Sequence, residues 1–406
     1  MPENHTSNID SPKEVGDGVP SAGGDVARGS TPVMELLPIE DDEDEGEDNK
    51  LSQLQEDRDG FRQVHNKMTN KLEFPSGRCL EDSMYEYAMN LNKRNLAHFC
   101  IVDSEMLSTL DESERQQVLS RVLPLAPFPK NLDQCLSRYD GVTTIAQCRK
   151  IAHSSQGDND KDVYWIDDVL RHVVELITDS GSILTHNNLN EGVWDCLVYP
   201  PFWDKYFMDI PDIILQRYAC PPRILSIQSH ISHSKEITLT ATQYEPYPCL
   251  KYEARYDGVV QTRKLRGSRY ELGVFEASSK FRGTNSEKWK KDRTKLLAGC
   301  RAMLYRLQES VNYDPDTVKK LQVVGLWTQV FTMSCINRNV LYLRQGELRE
   351  LPTTLKFLNL AYNLISTVWK VKRVIIATAT TLKNYFRDKE IEERNAAQPR
   401  TDADYL

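Results

Sequence analysis

Asp257 and Glu276 are the residues whose types and spacing best suit chemistry in this chain. Asp257-Gly258 sits in the apolar stretch KYEARYDGVV, and Glu276 sits in a second one, YELGVFEASSK, among Leu272, Val274 and Phe275. Both stretches read as strands. A lone acid inside such a strand costs several kcal/mol if it is buried without a partner, which makes Glu276 the more informative of the two. Side chains alternate along a strand, so Glu276, Ser278 and Lys280 share one face. Glu276 and Lys280 stand about 13 Å apart along a straight strand, within reach of one phosphate for two long side chains. Carboxylates converging in a groove repel unless a cation lies between them. Mg²⁺ (or Mn²⁺), with hard oxygen ligands and retained waters, is the natural occupant. Such a metal acidifies an attacking water and stabilises charge on phosphoryl oxygens. A lysine nearby stabilises the same charge. The bland readings are an ordinary Asp-Gly turn and a structural salt bridge from Glu276 to a neighbouring lysine.

The surroundings are basic. Lys251–Arg306 holds 15 Lys/Arg against 6 Asp/Glu, a net of +9. One patch lies on the helix expected over Glu287–Leu307 and includes Lys288, Lys290, Lys291, Arg293 and Lys295. There Asp292 and Lys295 flank the apolar stripe Trp289, Leu296, Cys300, Met303 and Leu307, which places them beside the sheet. A second patch, Arg263, Lys264, Arg266 and Arg269, occupies the loop between the two strands. Two patches around an acidic pair suit a nucleic-acid backbone, where phosphate neutralisation supplies most of the affinity. A solvated helix face is the plain alternative.

The elements that must position these residues follow from periodicity. Order is expected from about Leu72, with a helix after SGRCLED, a short strand HFCIVD at 98–103 and a helix at 110–123 capped by Asp111 or Ser113. Ile166, Val169, Val173, Val174 and Ile177 mark a helix over 165–181. Leu189–Tyr199 reads as a helix stopped by Pro200-Pro201, with Glu191 and Asp195 on one face. RILSIQSHI and EITLTATQY read as two strands joined at Ser232–Lys235. After the site helix, two or three strands turn at Asn337-Arg338-Asn339. A helix then opens at Pro352, and a further helical stretch runs to about Lys389. No internal repeat is present.

Asp257-Gly258, the strand with Glu276 and the helix WKKDRTKL together resemble the restriction-endonuclease-like PD-(D/E)XK superfamily. More narrowly, they are similar to a large group of fungal proteins of uncharacterised function built on that core. The similarity spans roughly Leu189–Leu343, and SGRCLED and FCIVD also resemble that group. The resemblance implies a mixed central sheet flanked by helices, an α/β (α+β) fold. It implies a metal held by Glu191, Asp257 and Glu276, with Asp195 competing for the role of Glu191. The superfamily places its lysine two residues after the strand acid; here Ser278 stands there. Lys280, or Lys295 from the helix, is then the replacement expected to stabilise the transition state. The implied function is Mg²⁺-dependent hydrolysis of DNA or RNA phosphodiesters. A catalytically degenerate module that binds nucleic acid or protein is the alternative.

Composition sets the wider frame. The 406 residues are 40% apolar and 27% charged, ordinary for a globular protein, with a formal net charge of −8. Met1–Gly60 alone carries 17 Asp/Glu and 4 Lys/Arg, a net of −13, so the remainder is about +5 (−8 minus −13). This stretch, with DDEDEGED at 41–48, is expected to be a disordered acidic arm over residues 1–70. It either docks on a basic partner or on the protein's own basic groove, or it only solubilises the chain. The expected divisions are this arm, a helical or mixed region at 71–185, the core with C-terminal helices at 186–390, and a frayed tail at 391–406. Nine scattered cysteines suit reduced thiols, no apolar run is long enough to span a bilayer, and MPENHTSNID lacks signal-peptide features. An intracellular location, nuclear or cytoplasmic, is expected. Cys148 and His153, or His230 and His233, lack zinc-ligand spacing, and neither a Gly-x-Ser-x-Gly elbow nor a P-loop occurs.

Overall fold

Apolar runs buried almost throughout make four strands of the sheet, which has seven strands among the described residues. The seven are β1 (Ile101–Val102), β2 (Ile213–Cys220), β3 (Tyr256–Thr262), β4 (Glu271–Phe275), β5 (Gln322–Leu326), β6 (Val330–Cys335) and β7 (Leu341–Gln345). The computed structural model describes residues 47–154, 160–178, 184, 194–220, 256–276, 287–326, 329–347 and 351–397. The strands form one mixed sheet in the order β1-β7-β6-β5-β4-β3-β2. β2, β3 and β4 are an antiparallel meander. The helix Glu287–Ser310 then carries the chain over to β5, which runs parallel to β4. β6 and β7 return antiparallel, and β1 closes that edge parallel to β7. This is the α/β arrangement with flanking helices that the sequence implies.

Two helices cover the sheet. Leu296, Leu297, Cys300, Met303, Leu304 and Leu307 of the basic helix are buried, at the helical spacing that gives one apolar face. The second is a continuous 39-residue helix, Asn359–Ala397, rather than two stretches. Lys372 pins it: its ammonium lies 3.3 Å from Asp162 and 3.0 Å from Asp209, over the ring of Tyr206, and the Trp369 indole donates to Asp162 at 2.8 Å.

The structure departs from the sequence reading at further described elements, among them the expected frayed tail at 391–406, where the long helix continues to Ala397. Within the expected disordered arm, Glu47–Lys67 is a helix. Phe61 and Val64 pack with Leu72, Phe74 and Leu80, and Leu54 is buried as well. Its apolar residues are too sparse, among Gln, Glu and Asp, to register as a stripe. β2 went unanticipated because Gln216 and Arg217 interrupt its apolar run; Arg217 lies under Phe275, at 4.6 Å from the ring centroid. Of the helix expected at Leu189–Tyr199, only the short π-turn Trp194–Val198 is described. The strands expected in RILSIQSHI and EITLTATQY lie outside the described residues.

The β3–β4 hairpin turns on Arg266 and Gly267, both with positive φ (47° and 81°), between the paired Leu265 and Ser268. Two successive positive-φ residues make the tight hairpin turn whose twist matches the strands. A Cβ at Gly267 would meet nothing within 4 Å, so only backbone strain opposes one. Gly267→Ala is expected to cost about 1 kcal/mol in urea denaturation.

Candidate functional site

The facing of the two acids follows from the sheet register. Val259 pairs with Val274, and Val274 with Gly325. A Cβ on Gly325 would lie 3.1 Å from the Cys300 sulfur, so this row faces the basic helix. Asp257 is two residues before Val259 and Glu276 two after Val274, so both face that helix too. Gly258 pairs with Phe275; continued by one residue, this register sets Asp257 directly opposite Glu276. Side chains so placed have Cβ atoms about 5 Å apart. The Glu276 amide still donates to Leu326 O at 2.9 Å, which holds the residue in line with β4. The next row, Arg217, Gly258, Phe275 and Leu326, belongs to the other face, where Tyr199 and Trp203 pack on the Phe275 ring.

The basic helix delivers its lysine here. Lys295 Nζ lies 2.6 Å from Glu276 Oε1. The contact is an ion pair that lies off hydrogen-bond angles, and Oε1 has no hydrogen-bond donor. Glu276 is 6% exposed. Burial pushes its carboxyl up to about 8; attraction to Lys295 offsets part of this, and Asp257 and Asp292 add to it. Asp292, one helical turn before Lys295, is half-buried, and burial raises its carboxyl as well, with Asp257 contributing. The site therefore holds three acids in electrostatic contact, with the Lys295 ammonium at Glu276 and the charges of Lys288 and Lys295 offsetting part of the rise at Asp292.

Tyr256 and Gly299 complete the arrangement, and sequence reasoning missed both. The Tyr256 hydroxyl donates to the Lys295 carbonyl at 2.9 Å, and the Lys295 ammonium lies 5.1 Å from the Tyr256 ring centroid. Strict alternation would turn Tyr256 away from the helix. The β2–β3 register shifts at this end, between Arg217 and Cys220, and such an irregularity re-aims side chains. Gly299 leaves the space: a Cβ there would lie 2.4 Å from the Tyr256 hydroxyl.

The other expected site residues divide into three groups. Glu191 and Lys280 lie outside the described residues, as do the side chains of Asp195 and Lys291. Lys288 and Lys290 are exposed in the first turns of the basic helix; Lys288 is about 10 Å along the axis from Lys295. Arg263, Lys264 and Arg266 are exposed too, but they belong to the closed end of the hairpin. Asp257 is five residues, about 17 Å, from the last residue of β3 on that side. The loop patch thus lies close in sequence and away from the acids in space, contrary to the expectation of two patches around one pair. Arg266 also pairs with Glu393, at 2.7 Å, and with Glu390 of the long helix.

Among the described residues no group of three or more His, Cys, Asp or Glu is arranged to hold a metal ion. Asp257 and Glu276 alone fit an open site. Mg²⁺ commonly takes one or two carboxylates and fills its remaining positions with water and substrate phosphate. No helix among the described residues is long and apolar enough to cross a membrane. No protein-family model, curated protein or solved structure matches the chain.

Proposed function

We propose that this protein is a restriction-endonuclease-like, metal-dependent phosphodiesterase acting on nucleic acid. The observation that carries the reading is the placement of Asp257 opposite Glu276 on one face of the sheet, with Lys295 from the following helix at Glu276. The two carboxylates hold the divalent cation, Mg²⁺ or Mn²⁺, and Glu191 is the candidate third ligand. The bound cation supplies an acidified water and charge neutralisation at the phosphate. Lys295 stabilises charge on the phosphoryl oxygens, a role that Ser278 leaves open in the sequence, and Lys280 is the other candidate for it. Lys288 and Lys290 contact the backbone from the N-terminal turns of the helix, where the helix dipole also favours an anion.

The test is cleavage of supercoiled plasmid, single-stranded DNA and RNA with millimolar Mg²⁺ or Mn²⁺, by wild type and Glu276→Ala. The expected result is metal-dependent cleavage that falls at least about a hundredfold in the variant, more than loss of an outer-shell partner costs. Equal cleavage by both proteins would sink the reading. Binding without cleavage would favour the degenerate nucleic-acid-binding module, for which Ser278 speaks.

A further inference from the structure

The closed end of the β3–β4 hairpin gathers cations that the fold leaves unmatched. The Thr262 amide donates to the Tyr270 carbonyl at 2.8 Å, and Leu265 pairs with Ser268. Between these two pairings one strand has Arg263 and Lys264 where the other has Arg269 alone, so the hairpin bulges there. Two cations thus stand opposite a third, and like charges facing each other across a strand pair are destabilising. Arg306, near the C-terminal end of the basic helix, joins them: it is within electrostatic range of Tyr270, the neighbour of Arg269. All four side chains are exposed, and no carboxylate of the described residues lies within ion-pair distance of any of them. The acids close by are engaged elsewhere. Glu390 and Glu393 take Arg266, and Asp212, whose carbonyl accepts the Arg263 amide, gives its carboxylate to Lys383 at 2.9 Å.

We propose that this end of the hairpin is a second anchor for nucleic acid, separate from the acidic pair, where Arg263, Lys264, Arg269 and Arg306 neutralise backbone phosphates. The inference rests on the nucleic-acid reading above and adds the extent of the substrate. An anion relieves the repulsion within the cluster, and the guanidinium fork matches phosphate oxygens two at a time. A chain of phosphates meets four cations spread over two strands and a helix end, where a single small anion meets one or two. The spacing sets the length of that chain. Arg263 is six residues along β3 from Asp257 (263 minus 257), or about 20 Å. Each strand of a duplex advances about 3.4 Å per nucleotide, so about six nucleotides separate a phosphate at the acids from one at the hairpin. A substrate that engages both ends is therefore a polymer of at least about six base pairs, and a mononucleotide is too short.

The experiment measures binding of a fluorescent duplex of about 20 base pairs to the full chain, in EDTA, over a series of salt concentrations. Wild type is compared with the triple variant Arg263→Gln, Arg269→Gln, Arg306→Gln. A control triple variant, Arg62→Gln, Arg121→Gln, Arg149→Gln, removes the same charge from exposed positions elsewhere. Each phosphate contact adds about 0.9 to the steepness of log K against log salt, so the hairpin variant should have a slope shallower by about 2.7. It should also bind at least about tenfold more weakly at low salt. The control should keep the wild-type slope within about 0.5. Arg269→Gln alone, with a slope shallower by about 0.9, carries the test if the hairpin triple variant fails to fold. No binding by wild type, an unchanged slope in the hairpin variant, or equal losses in both triple variants would overturn the proposal. So would polyglutamate that displaces the duplex at equal charge concentration, which would give the patch to an acidic protein segment. Cleavage by the same proteins separates the two readings. A shallower slope in the hairpin variant with no cleavage by wild type keeps the anchor and removes the nuclease. An unchanged slope, with metal-dependent cleavage that is lost in Glu276→Ala, does the reverse.

Discussion

Glu276→Gln is expected to make the protein more stable at alkaline pH. The Glu276 carboxyl is buried and raised from an ordinary 4.5 to about 8. A carboxyl raised in the folded state keeps its proton where the unfolded chain has already lost it. Its contribution to stability is therefore full below about pH 4.5 and declines as pH rises through about 8. At about 1.4 kcal/mol per pH unit, the loss over that window is on the order of 4 kcal/mol. Glutamine cannot ionise, so the variant escapes the loss, and the part-exposed Lys295 can turn to water. Urea denaturation at pH 5 should find the two proteins within about 1 kcal/mol, and at pH 9 the variant ahead by about 3–4 kcal/mol. A difference that does not change with pH would refute the assignment of Glu276 as a proton-holding buried acid. Strain of this kind, kept at a site and offset by the rest of the fold, is the usual mark of a functional position.

Gly299→Ala should be the most damaging of the single-methyl additions in the site helix. Alanine favours a helix interior over glycine by about 1 kcal/mol. Against that gain stands a Cβ placed 2.4 Å from the Tyr256 hydroxyl and 2.8 Å from its ring carbon Cζ. Tyr256 is fully buried and cannot swing aside, so the helix must shift away from the sheet. Overpacking of this sort costs about 3 kcal/mol, which leaves a net loss of about 2 kcal/mol. A double-mutant cycle with Tyr256→Leu checks the cause. The double variant should lose less than the sum of the two singles by at least about 1 kcal/mol, because the clash needs both partners. Simple additivity would place the cost elsewhere.

Much of the site was legible because strand and helix periods report facing directly. The apolar strand around Glu276 made its charge conspicuous, and the apolar stripe Leu296, Cys300, Met303 and Leu307 set Asp292 and Lys295 beside the sheet. What could not be read was which lysine would arrive. Lys280 and Lys295 are both within reach on spacing alone, and only the packing of the helix on β4 and β5 puts the latter at Glu276. Tyr256 was hidden for a related reason, since a register shift between neighbouring strands leaves no trace in the alternation of one of them. β2 was hidden by Arg217, whose charge masks a residue that is in fact packed between Asp204 and Phe275. The loop arginines misled in the opposite sense, because nearness along the chain is not nearness in a hairpin that keeps its two ends apart.

The strand order has a consequence for how the chain is synthesised. From β2 to β7 the strands are laid down side by side in the order in which they leave the ribosome, each on its predecessor's flank. The segment Asp257–Lys295 that builds the site can therefore find its partners while the rest is still being made. β1 is the exception. Ile101 pairs with Leu341, 240 residues later (341 minus 101), so the first strand translated is the last to be seated. Until then the flank of β7 is open, and a nascent chain stalled between the two has an unpaired edge that other chains can adopt.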